Sequence, residues 1–329
     1  MNKGYNWRGL LVKLAGSVII LALLFRFIDF DKDAFLQTIK GINSGKYILS
    51  LAGVVVVLGI KSLRWQRIIK AEGYNYSTFR SFGAYMASFT IGIITPGRIG
   101  EIARLYYLRQ DVAIGFLPAF KTIVSDRVFD LGVLFMLGIA GLLYYSAPIE
   151  ISAETAIVIG IAAFMLLLYV GLALLRRLQA LSFFRDNMVL KFVEESIALA
   201  LGRKAPVLWL ITSMAYLVYY GAIWLIFSSV GIRLALTDIA IILSIVGLAT
   251  ILPVSWAGFG TREISLVYLL SKYQIPAETA LSFSLLQFGA FFLWGSLIGL
   301  AFWLMMPLSL NQVRADGKAF REMISRTKH

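Results

Sequence analysis

Two short stretches of this sequence set arginine and glutamate beside a helix break inside an otherwise apolar chain. The first, PGRIGEIAR, covers residues 96 to 104, and the second, GFGTRE, covers 258 to 263. A third, SDRVFD at 125 to 130, adds Asp126, Arg127 and Asp130; its two aspartates are four residues apart and share a helix face. Guanidinium groups at the start of a helix, where N–H groups lack partners and the dipole is positive, suit a phosphate. Carboxylates one turn further on would neutralise those arginines whenever the ligand is absent, because an unpaired charge deep in a bilayer costs about 3 kcal/mol. The candidate substrate-binding residues are therefore Arg98, Glu101, Arg104, Asp126, Arg127, Asp130, Arg262 and Glu263. A protonatable carboxylate among them could couple movement to a proton gradient.

Other chemistries are excluded by residue type. Cysteine is absent and the one histidine is His329, the last residue, so thiol chemistry, histidine acid–base catalysis and Cys/His metal sites are not expected. No G-x-x-x-x-G-K-[ST] loop occurs, which argues against direct ATP drive, and no cofactor is expected. The net charge of +13 reads as basic loops facing an anionic leaflet, not as a nucleic-acid surface. Arg109 and Lys121 read as residues snorkelling to that surface.

The elements that hold these residues are membrane helices. With 59% hydrophobic and 15% charged residues, the chain is far too apolar for an ordinary soluble domain of its length. Six runs reach or approach the roughly 20 residues that a spanning helix needs: about 10–28, 46–65, 128–146, 155–175, 206–230 and 278–306. The first reads as a retained span, since no small-residue cleavage site follows Phe25. With a cytoplasmic amino terminus, the basic residues between 61 and 80, between 98 and 127, and between 176 and 204 fall on the inner side or its approach, as does the basic tail. Both termini are thus expected in the cytoplasm. Two stretches remain, 81–110 and 237–271, each with a first apolar half of about 17 residues and a second of about 12. Both read as re-entrant hairpins of two half-helices.

Self-comparison ties the hairpins together. Aligning GEIARLYYL, residues 100 to 108, with REISLVYLL, residues 262 to 270, places Glu101 on Glu263, Ile102 on Ile264, Tyr106 on Tyr268 and Leu108 on Leu270. A proline–glycine break precedes each: Pro96, Gly97 and Gly100 in one copy, Pro253, Gly258 and Gly260 in the other. A polar-bearing segment opens a long span after each, TIVSDRVFDLGVLF and FSLLQFGAFFLWG. Each half then runs span, span, broken hairpin, span, and an odd number of crossings inverts the second copy. The expected architecture is an all-α polytopic membrane protein with six full spans, two re-entrant hairpins and an inverted repeat. Residues 1–306 form one membrane domain with halves at about 8–146 and 155–306, and 307–329 form a basic tail. GSLIG, residues 295 to 299, reads as a helix-packing motif, with a homodimer as its weaker implication.

The combination TPGRIGEIARLYYL, SDRVFDL and LPVSWAGFGTREISLVYL resembles the flippase-like membrane domain of lysylphosphatidylglycerol synthases and its stand-alone bacterial and archaeal relatives, over about residues 8 to 306. The resemblance is to the transport half of those synthases and does not imply lipid synthesis. It implies a translocase in the plasma membrane, bacterial inner or archaeal, whose partner is an anionic phospholipid or polyprenyl-phosphate-linked sugar. The residue chemistry points the same way: Arg98 and Arg262, brought together by hairpins entering from opposite faces, would hold the lipid phosphate. Two other classes are weighed. A secondary carrier of a small anionic solute would share the inverted repeat. A polyprenyl-dependent glycosyltransferase would use the acids Asp29, Asp31 and Asp33, which as a group read more simply as a solvated helix start. An enzyme is not expected.

Overall fold

The computed structural model describes residues 31–95, 100–146, 151–180, 188–251, 260–306 and 308. The expected first span, Arg98, the break residues Pro96, Gly97, Pro253 and Gly258, and most of the basic tail lie outside these residues. Among the described residues every regular element is helical: α1 (Lys32–Lys40), α2 (Ser44–Ala71), α3 (Thr78–Ile94), α4 (Ala103–Asp111), α5 (Phe116–Ser146), α6 (Ala153–Ala180), α7 (Met188–Leu201), α8 (Ala205–Ser229), α9 (Leu236–Ile251), α10 (Thr261–Ser271), α11 (Ala277–Gln287) and α12 (Gly295–Met305). A π-helical segment, Phe288–Trp294, joins α11 to α12. Among the described residues five helices are long and apolar enough to cross a membrane: α2, α5, α6, α8 and the continuous Ala277–Met305.

Local chemistry sets the ends of these elements. Asp31 caps α1, its Oδ1 accepting from the N–H groups of Asp33 and Ala34 at 2.8 and 3.0 Å. Asn43 caps α2 in the same way through the Lys46 N–H at 3.1 Å. The break after α3 is clipped by Thr95 Oγ1, which accepts from the Gly100 N–H at 2.7 Å. A side chain at Gly100 would collide with the Ile91 carbonyl, so the chain can return this closely only there. Gly260, at φ +89°, starts α10, and Glu263 reaches back to its N–H at 2.7 Å.

The hairpin arms are short. α3 and α9 contain 17 and 16 residues, α4 and α10 contain 9 and 11. At 1.5 Å per residue the first arms reach about 25 Å and the second about 15 Å, against roughly 30 Å of hydrocarbon. Two full spans differ from their expected bounds. α2 continues to Ala71, and α5 begins at Phe116. Charged residues that a hydropathy reading assigns to loops are therefore inside helices.

Helix directions follow from contacts between ends. The Asn43 N–H donates to the Ser229 carbonyl at 3.0 Å, and Lys204 Nζ to the Ala71 carbonyl at 3.2 Å. The start of α2 thus meets the end of α8, and its end meets the start of α8, so the two run antiparallel. They approach closely where Gly53 faces Ala222. α3 packs on α12, with Thr90 Oγ1 donating to the Ser296 carbonyl at 2.9 Å. Gly295 and Gly299 of GSLIG lie in that contact, against Phe89 and Met86. α9 packs correspondingly on α5, and α6 and α7 close the α5 side of the bundle. The core between these helices holds Trp65, Met86, Phe129, Phe227 and Phe283, with the rings of Phe227 and Phe283 stacked at 3.7 Å.

Candidate functional site

Seven charged side chains meet inside the bundle. α2 supplies Lys61 and Arg64; the turn before α4 supplies Glu101, and α4 itself Arg104; α5 supplies Asp126, Arg127 and Asp130. The helical repeat explains the groupings, since Lys61 and Arg64 are three apart and Asp126 and Asp130 four apart, so each pair faces one way. Counting along the helices at 1.5 Å per residue, Lys61 is about 15 Å from the end of α2 and Asp130 about 21 Å from the start of α5. The cluster is half-way along two membrane-length helices.

Arg64 is fully buried and spends its guanidinium completely. It donates through Nε to Asp126 Oδ1 at 2.8 Å, through Nη2 to Asp130 Oδ1 at 2.9 Å and the Asp126 carbonyl at 3.2 Å, and through Nη1 to Thr212 Oγ1 at 3.2 Å. Arg104 donates to the other oxygen of Asp126 at 2.8 Å and lies over the rings of Tyr85 and Trp65, at 4.9 and 5.3 Å from their centroids. Trp65 is in turn oriented by its indole N–H, which donates to Thr122 Oγ1 at 3.1 Å. These groups form a closed floor.

The mouth is built differently. Lys61 Nζ donates to Asp130 Oδ1 at 3.0 Å and stands 4.7 Å over the Tyr216 ring. Arg127 pairs with Glu101 and reaches the second Asp130 oxygen at 3.7 Å. Side-chain exposure is 18% for Lys61 and 38% for Arg127, against 0% for Arg64 and Asp126. Both cations at the mouth thus reach Asp130, and Arg127 has Glu101 as a second carboxylate. Within the seven side chains, four positive charges stand against three negative ones, leaving a surplus of one positive charge. Pairing of this kind is what allows so many charges at mid-helix, where each alone would cost about 3 kcal/mol.

Arg262 and Glu263 belong to a second cluster, on α10 and α11. Arg262 donates through Nε to Glu263 Oε1 and to Ser284 Oγ, both at 3.0 Å, and Ser284 donates on to Glu263 at 2.7 Å. The guanidinium lies over Phe288 and Phe292, 5.5 and 5.9 Å from their centroids. The offset that carries Glu101 onto Glu263 also carries Thr122 onto Ser284, Trp65 onto Phe227, and Asp126 and Asp130 onto Phe288 and Phe292. Equivalent positions thus hold carboxylates under the first cluster and aromatic faces under the second. One more bond has its partners exchanged: the Tyr76 hydroxyl donates to Asp111 at 2.9 Å, and the corresponding Tyr273 lies beside Asp238. Burial and the neighbouring aspartate hold both hydroxyls above the ordinary tyrosine range, so each remains a donor at neutral pH.

Of the residues singled out in the sequence, Glu101, Arg104, Asp126, Arg127 and Asp130 come together, and Arg262 and Glu263 form their own group. Lys61 and Arg64 were missed. They read as loop charges because KSLRWQRIIK is rich in cations, yet Leu63, Trp65, Ile68 and Ile69 continue the apolar helical pattern through it. Lys121, read as snorkelling, instead bridges Glu72 and Glu195 at 2.9 and 2.6 Å, joining α5 to the end of α2 and to α7. Arg109 donates to the Ile114 carbonyl at 3.3 Å.

Helices of membrane length around a buried charge cluster define a polytopic membrane protein. The chain belongs to the family of the lysylphosphatidylglycerol synthase transmembrane region, whose profile matches residues 10–299. It is similar to a UPF0104 membrane protein, MJ1595, of Methanocaldococcus jannaschii, at 26% identity over 310 residues covering 84% of this chain and 90% of that protein. It is also 27% identical over 127 residues to Glycosyltransferase AglD of Haloferax volcanii, a match covering 38% of this chain and 19% of that protein. No solved structure matches the chain.

Proposed function

We propose that this protein is a lipid translocase that moves an anionic, phosphate-containing lipid or lipid-linked sugar between the leaflets of the plasma membrane. The one positive charge left over in the mid-helix cluster, whose part-exposed mouth holds Lys61 and Arg127, carries this reading. A phosphate arriving there would compete with Asp130 for Lys61 and Arg127, while Arg64 and Arg104 remain committed to Asp126. The phosphate would bring the negative charge that the cluster lacks, which lowers the cost of holding its own charge inside the bilayer. The family membership supports the same class of substrate.

An inverted repeat with alternating access completes the proposal. The antiparallel α2 and α8, the exchanged packing of α3 on α12 and α9 on α5, and the exchanged Tyr–Asp pairs support it. Arms shorter than the hydrocarbon support re-entrant hairpins. We place both termini in the cytoplasm on the distribution of basic residues. Arg98 stays in the proposal as a further phosphate ligand, and Arg262, held by Glu263 and Ser284, becomes an anchor of the second hairpin.

Purified protein in liposomes tests the reading. Labelled phosphatidylglycerol and a labelled polyprenyl phosphate are added to one leaflet, and their appearance in the other is timed, with a soluble anion as a separate arm. Lipid movement that Lys61→Gln/Arg127→Gln abolishes is the expected result. Uptake of the soluble anion without lipid movement would instead identify a small-solute carrier. The glycosyltransferase alternative draws on the AglD match, but Asp31 spends its carboxylate on capping α1. Asparagine at Asp29, Asp31 and Asp33 should therefore leave lipid movement intact.

A further inference from the structure

Two cavities open at opposite ends of the bundle. One, of about 280 Å³, lies where α2 passes into α3 and is lined by Gln66, Arg67, Lys70, Asn75, Tyr76 and Thr78. The other, of about 430 Å³, lies where α8 passes into α9 and reaches the turn between α10 and α11; Arg233, Tyr273 and Gln274 are in its wall. The offset that carries Glu101 onto Glu263 carries Lys70 of the first cavity onto Ile232 of the second. Because α2 and α8 run antiparallel, the two cavities face opposite ends.

Their charges differ. No carboxylate lines the first cavity, and Arg67 and Lys70 form no ion pair among the described residues. Its floor is held by Gln66, whose amide donates to the Tyr76 carbonyl at 2.7 Å and to Thr78 Oγ1 at 3.0 Å. The second cavity has one cation, Arg233, and both have a tyrosine wall beside an aspartate, Tyr76 by Asp111 and Tyr273 by Asp238. Depth says what would occupy the first. Lys70 is nine residues from Lys61 along α2, an axial distance of about 14 Å. With Lys61 near mid-membrane, Lys70 stands at the edge of a half-thickness of about 15 Å, the level of lipid phosphates.

Resting on the translocase reading, we propose that the α2–α3 cavity is the loading site, where Arg67 and Lys70 hold the phosphate of an anionic lipid still in its own leaflet. Arg67 is six residues from Lys61, so the held headgroup waits about 9 Å along α2 from the central mouth. The α8–α9 cavity, with Arg233 alone, is the weaker, releasing counterpart.

The absence of cysteine makes a direct test possible. Asn75→Cys and, separately, Gln274→Cys are reconstituted in phosphatidylcholine vesicles with or without phosphatidylglycerol, and the rate of reaction with a membrane-permeant maleimide is measured. Phosphatidylglycerol should slow modification at position 75 several-fold and at position 274 less. Arg67→Gln/Lys70→Gln should remove the protection at 75, and inorganic phosphate alone should give none. Equal rates in both vesicles, protection that survives the double substitution, or equal protection by inorganic phosphate would each overturn the loading site. Lys61→Gln/Arg127→Gln should retain the protection. Protection at position 75 without any lipid movement would leave this site standing and sink the translocase reading instead.

Discussion

Asp130 divides the charge cluster into two kinds of residue. Arg64 and Asp126, at 0% exposure, are each other's solvent, and removing one leaves the other charged and buried. Arg64→Met should therefore destabilise the protein by about 3–5 kcal/mol, read as a lower unfolding temperature in detergent. Lys61→Gln should behave differently. Its ammonium is part-exposed and shares Asp130 with Arg64 and Arg127, so the carboxylate keeps two partners after the change. Stability should fall by no more than about 1 kcal/mol, while lipid movement should slow severalfold or more. Equal unfolding temperatures for the two variants would show that floor and mouth are not distinct. The aspartates were legible in the sequence because SDRVFD puts them one turn apart. Their partners on α2 were not, because charges separated by some sixty residues carry no mark of which acid each will meet.

Each broken hairpin is organised around a glutamate, and the two glutamates serve different ends. Glu263 accepts from the Gly260 N–H, from Arg262 and from Ser284, so it pins the start of α10 to α11. Glu101 instead crosses to Arg127 at the mouth of the cluster. Glu263 thus ties α10 to α11, and Glu101 ties the turn before α4 to the charge cluster. Gly260, at φ +89°, is the vulnerable point of the first tie, since other residues are strained there. Gly260→Ala should cost about 1–3 kcal/mol in the same unfolding measurement. An alanine variant as stable as the parent would mean that the turn is not needed in this form. The glycines and the paired glutamates stood out in the sequence by repetition. What replaced the aspartates in the second copy, Phe288 and Phe292 under Arg262, takes its meaning only from the contact.

At the scale of the molecule, two halves of similar order are packed through antiparallel equivalents. The α2–α8 contact predicts that a pair of cysteines at Asn43 and Ser229, whose backbones are hydrogen-bonded at 3.0 Å, will form an intramolecular disulfide, with loss of the Asn43 cap as its cost. A parallel arrangement would leave these positions at opposite ends and give no cross-link, which gel mobility under non-reducing conditions distinguishes. By itself the sequence determined that this is an all-helical membrane chain with five long helices, though not that α2 runs on to Ala71 and α5 begins at Phe116, and that two short broken segments carry matched charges. Those features are local: apolar length, proline and glycine breaks, and residue spacing along a helix are written in neighbouring residues. Tertiary structure alone decided that α2 brings Lys61 and Arg64 onto Asp126 and Asp130, and that Arg262 stands apart with Glu263. The reason is physical. Charges half-way along a membrane helix exist only because another helix neutralises them, so their role is settled by packing between distant segments.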